Sequence, residues 1–101
     1  MKKFLILAFL ASAATVFAAE PSLTERYPGP WKEAVNAPIS KVLASKSIRG
    51  CGEFKFRESA LNRGEFLVYC TRDGTNWSSY IVWIYSGEVT GPHRVSAAIP
   101  P

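Results

Sequence analysis

The sequence is poor in the residues that most enzymes and metal sites are built from: one histidine, His93, one aspartate, Asp73, and two cysteines, Cys51 and Cys70. A structural zinc ion needs four ligands, which this inventory does not supply. A Ser-His-acid set would have to combine His93, next to Pro92 in a segment with little reason to be rigid, with Asp73, which sits in an Asp-Gly turn. No glycine-rich phosphate loop, His-Glu-x-x-His or dinucleotide-binding pattern occurs, so no cofactor or metal is implied. Glu53, Glu58 and Glu65 lie around one predicted hairpin, where solvated strand-end charges are the ordinary outcome rather than an acid–base pair. The reading is that the chain is not an enzyme. At 101 residues and 11.1 kDa it also lacks the length for a second domain.

Long runs are missing as well. The uncharged apolar stretch 4–14 is shorter than the roughly 20 residues needed to cross a bilayer. It follows Lys2 and Lys3 and leads into Val16-Phe17-Ala18, the pattern of a cleavable secretory leader spanning residues 1–18. No cysteine follows it, so lipidation at the cleavage site is not expected. The short Lys-Lys start looks bacterial, which points to the periplasm or the medium, with no transmembrane segment left after cleavage. Losing Lys2 and Lys3 lowers the formal charge from +4 to +2, and the remaining basic residues are spread among glutamates with no run of them. Nucleic acid is therefore not an expected partner. Asn76-Trp77-Ser78 matches a glycosylation sequon, but at the start of a strand in a bacterial-looking chain it reads as chance.

What the exported part does have is a cysteine pair and all three tryptophans. In an oxidising compartment, Cys51 and Cys70 are expected to form one structural disulfide. Residues 19–30, punctuated by Pro21, Pro28, Gly29 and Pro30, read as an irregular lead-in with at most one helical turn at 22–26. Trp31, Val35, Ile39, Val42 and Leu43 recur at helical spacing. Pro38 makes this either a kinked helix or a short turn followed by a helix with Asn36 near the cap. The period then changes to two, predicting strands at 53–57, 66–71 and 77–85, with Asp73-Gly74 as a hairpin signal. The fold class is α+β: an amphipathic helix on a three-stranded antiparallel meander within 31–87, followed by an irregular tail, 88–101, with a possible short extension near Val89.

A two-residue Asp73-Gly74 turn pairs Trp77 with Cys70, and pairing Cys51 with Cys70 aligns the first strand. Phe54, Phe56, Leu67, Tyr69, Tyr80, Val82 and Ile84 then face the helix. Glu53, Lys55, Arg57, Phe66, Val68, Trp77, Ile81, Trp83 and Tyr85 occupy the opposite face, left open unless a terminus covers it. An odd number of loop residues would reverse the assignment. Trp77, Trp83, Tyr85, Ile81, Phe66, Arg57 and Lys55 are thus the candidate partner-binding residues, with the core as the competing role of the two tryptophans. The expected function is a non-enzymatic exported module that docks on an envelope or secreted protein as inhibitor, immunity factor or accessory subunit, or on a second copy of itself. Its rival is a carbohydrate or envelope-polymer binder in which Trp77, Trp83 or Tyr85 stacks on sugar rings.

Overall fold

The computed structural model describes residues 20–101. The expected leader, residues 1–18, lies outside them. Two helices, α1 (Leu23–Arg26) and α2 (Ala37–Ser45), precede four strands, β1 (Glu53–Glu58), β2 (Glu65–Thr71), β3 (Trp77–Trp83) and β4 (Glu88–His93). All strand pairs are antiparallel, in the order β1-β2-β3-β4. The class is α+β, with four strands in place of the expected three. Among the described residues no helix is long and apolar enough to cross a membrane.

Proline placement decides where the helix begins. Asn36 caps α2 by accepting the Ile39 amide at 3.1 Å, and Pro38 falls in the first turn, where a missing N–H costs nothing. The turn-then-helix alternative is therefore the observed one. Val35, 95% exposed, and Trp31 lie outside the helix, which buries only Ile39, Val42 and Leu43. Earlier, Ser22 and Glu25 form a capping box that supports the single turn of α1.

The face assignment of β2 is reversed relative to expectation. Thr71 stands opposite Trp77, so the connection is the five-residue loop 72–76 rather than a two-residue turn. Local hydrogen bonds stabilise this loop: Thr71 Oγ1 accepts from the Gly74 amide (2.9 Å) and donates to the Asn76 carbonyl (2.8 Å). Asp73 Oδ1 accepts the Thr75 and Asn76 amides, both at 2.9 Å. Those amides hold the Asp73 carboxyl well below the usual range. The disulfide joins Cys51 to Cys70, as expected, yet Cys51 precedes β1 and the residue opposite Cys70 is Phe54. A crosslink to a residue outside the strand does not set its register. Both changes are odd, so β1 and β3 keep their expected faces while Phe66 and Val68 move under the helix and Leu67 and Tyr69 move away from it.

One core thus forms between α2 and the sheet, where Ile39, Val42 and Leu43 meet Phe56, Phe66, Val68, Cys70, Tyr80 and Val82. A second forms on the other face from Tyr27, Leu67, Tyr69 and Ile99, with Leu23, Trp31, Trp77, Ile81 and Val95 against them. The lead-in and the tail therefore cover much of the face that one helix could not. The tail is not irregular throughout, because Gly87 adopts φ +76° and reverses the chain into β4. Pro92 is compatible with β4 because the strand lies at the sheet edge. Gly91 is required there, since a Cβ would approach the Ser79 carbonyl oxygen to 2.7 Å.

Ile99, 1% exposed, closes the second core. Ile99→Ala is expected to cost about 2 kcal/mol, near the lower end for a buried isoleucine because the tail can settle into part of the void. Urea denaturation should show a lower midpoint with an unchanged slope.

Candidate binding surface

Alternation along β1 turns Phe54 and Phe56 toward the helix and Lys55 and Arg57 the other way. There the two cations meet indole rings. Arg57 lies over Trp31 with Cζ 4.5 Å from the ring centroid. The Lys55 ammonium is shared between Trp31 (5.3 Å) and Trp77 (4.5 Å). The result is a ladder, Arg57, Trp31, Lys55, Trp77, in which all four side chains are half-buried. Each such contact contributes about 0.5–1 kcal/mol at this exposure.

The ladder rests on a fixed base. Trp31 meets Tyr69 at 4.5 Å between centroids and donates Nε1–H to the Pro100 carbonyl at 3.2 Å. The Tyr69 hydroxyl donates to the Ile99 carbonyl at 2.7 Å, and burial raises its pKa. Arg57 Nη1 reaches the Tyr27 carbonyl at 3.4 Å, beside Gly29, where a Cβ would come within 3.0 Å of that nitrogen. Lys32 exchanges two 2.9 Å backbone hydrogen bonds with Phe56, placing the lead-in against the outer edge of β1. That contact holds Trp31 in register with Lys55 and Arg57. At the Trp77 end, Glu33 and Glu53 border a shallow hollow of about 240 Å³ beside Lys55.

The remaining candidates lie elsewhere. Trp83 donates Nε1–H at 3.0 Å to Glu65, a carboxylate only 3% exposed that also accepts from the Tyr27 hydroxyl and from Asn62 Nδ2 (2.9 Å). Arg26 approaches the same group at 3.7 Å. Burial pushes the Glu65 carboxyl up, but the three hydrogen bonds and the Arg26 charge outweigh it and leave the pKa lowered. Trp83 is thus an internal anchor. Ile81 packs into the second core. Phe66 is buried under the helix because of the reversed β2. Tyr85, 77% exposed, lies past the end of β3 over Gly64, beside a groove of about 540 Å³ that includes Pro38 and Lys41. Of the seven expected residues, only Lys55, Arg57 and Trp77 come together in the ladder.

No protein-family model, no curated protein and no solved structure matches the chain. Trp31 is the member of the ladder that periodicity concealed, because it fits the helical stripe numerically. Pro30 before it and Pro38 after it were the available signal that its segment is extended.

Proposed function

We propose that this is an exported, non-enzymatic binding protein that docks on another envelope or secreted protein, as an inhibitor, immunity factor or accessory subunit. The reading places it in the periplasm or outside the cell, where its disulfide persists. The observation that carries it is the Arg57, Trp31, Lys55, Trp77 ladder. Tryptophan and arginine bury much area for few rotors lost, and here their rotamers are already restrained, so little ordering entropy opposes docking. The occupied ring faces favour a protein over a sugar polymer. Lys55 lies over Trp77, and Trp31 is in contact with Arg57, Lys55 and Tyr69, so neither indole offers the bare platform that sugar stacking requires.

The test is affinity capture from a native envelope extract, with the oxidised protein as one bait and Lys55→Glu as the other. Lys55 lies on an edge strand and forms no ion pair among the described residues, so the substitution is expected to leave the far-UV circular dichroism unchanged. One discrete protein, held at fixed stoichiometry by the first bait and lost by the second, is the expected result. Retention that instead grows with glycan chain length and survives Lys55→Glu would favour the polymer reading.

A further inference from the structure

On the helix-side face, away from the ladder, the segment after α2 crosses the end of the sheet and leaves a cavity of about 270 Å³ beside the disulfide. Arg49 and Gly50 line it from one side and Arg72, Ser78 and Tyr80 from the other. Gly50, at φ +88°, lies beneath the stem of Arg72, with the position of a Cβ there in ordinary van der Waals contact with Arg72 Cγ at 3.5 Å. Both guanidinium groups are without an ion-pair partner among the described residues. Tyr80 is only 5% exposed, and its hydroxyl makes no hydrogen bond to any described residue. Ser78 is likewise without a side-chain hydrogen bond. Asp73 also borders the cavity, but its oxygens are occupied by the Thr75 and Asn76 amides and by Asn76 Nδ2 within its own loop.

We propose that this cavity binds a phosphate-type oxyanion through Arg49, Arg72, Ser78 and Tyr80. Two guanidinium forks and two hydroxyls offer donors from four separate side chains. A tetrahedral oxyanion has enough acceptors to satisfy them, whereas a carboxylate has only two oxygens. The Tyr80 and Ser78 hydroxyls, neither engaged by another described side chain, are free to donate to an oxyanion held between the two guanidinium groups. The volume exceeds that of the free ion, leaving room for a small ester substituent. This site is independent of the ladder and of the partner proposed for it.

The experiment is a titration of the ¹⁵N-labelled, disulfide-intact protein, followed by amide shifts at neutral pH and constant ionic strength. The probes are inorganic phosphate, glycerol 3-phosphate and, as the carboxylate control, acetate. Saturable shifts at Gly50, Arg72, Ser78 and Tyr80 are expected with both phosphate probes, with a dissociation constant on the order of 1 mM or tighter. Tighter binding of the ester assigns the ligand to a phosphorylated small molecule, and equal binding assigns it to free phosphate. Arg49→Gln and Arg72→Gln, both at exposed positions, should each weaken binding roughly tenfold, and Tyr80→Phe should weaken it less. Shifts that grow in proportion to phosphate without saturating would overturn the proposal. So would saturation that acetate reproduces, or that both arginine variants leave unchanged.

Discussion

Glu65→Ala is expected to lower the unfolding free energy by about 3 kcal/mol, because it strands the buried Tyr27 hydroxyl and the half-buried Trp83 Nε1–H together. The Tyr27 hydroxyl, Trp83 Nε1–H and Asn62 Nδ2–H all converge on this carboxylate, and both Asn62 and Arg26, the latter 43% exposed, have ready access to water. That exposure argues for the lower part of the range for disrupted buried pairs. Glu65→Gln keeps a carbonyl acceptor and should lose less. The effect has a direction with pH. Because the folded carboxyl titrates below its ordinary 4.5, its contribution is fully present above that value and is lost as pH falls through the folded pKa. Glu25 and Asp73 are also shifted down and contribute to the acid slope, so the informative quantity is wild type minus Glu65→Ala. At the other extreme, burial and the adjacent Glu65 raise the Tyr27 pKa, so stability should fall as pH rises beyond 10. Urea midpoints measured across pH would check both limbs. A difference between wild type and variant that does not shrink on acidification would show that Glu65 is not the group responsible.

Reduction of Cys51–Cys70 should cost about 3 kcal/mol by the chain-entropy argument for a loop of this length, and the melting temperature should drop on the order of 10–20 °C. The chain should nevertheless remain folded at room temperature. The β1–β2 ladder runs from Glu53 opposite Thr71 to Glu58 opposite Phe66 without needing the crosslink, and the second core contains neither cysteine. Calorimetry with and without a phosphine reductant would measure the drop, and identical melting curves would mean that the bond does not limit unfolding. Local effects should be concentrated between α2 and β1, the segment Cys51 tethers, which also supplies Arg49 and Gly50 to the proposed oxyanion cavity.

The periodic signals in the sequence located α2 and the first three strands because each carries its own hydrophobic pattern at the right spacing. Asn36 and Pro38 even indicated where the helix starts. What could not be read was how the strands sit against one another. Strand parity depends on Thr71 and Asp73 drawing a five-residue loop together by side-chain hydrogen bonds, and an Asp-Gly pair also suits a shorter turn. A crosslink at Cys51 gave a misleading register because it attaches before the strand. β4 was hidden by Gly91-Pro92, which breaks an interior strand but is tolerated on an edge, so only knowledge of sheet order distinguishes the two cases. Three of the four ladder members were legible: Lys55, Arg57 and Trp77 follow from alternation in β1 and β3. Trp31 and Tyr69 depend on long-range closure by the lead-in, the tail and the reversed β2.

The loop 72–76 also restricts how the chain can change. In an antiparallel hairpin, adding or removing one connecting residue, with the pairing kept next to the turn, shifts one strand by one place and exchanges its two sets of side chains. A single-residue deletion would aim Phe66, Val68 and Cys70 away from α2 and bring Leu67 and Tyr69 beneath it, separating the disulfide partners and the support of Trp31. A two-residue change preserves the alternation. Length variation tolerated at this hairpin should therefore come in steps of two, a quantisation imposed by the pleat rather than by any contact the loop itself makes.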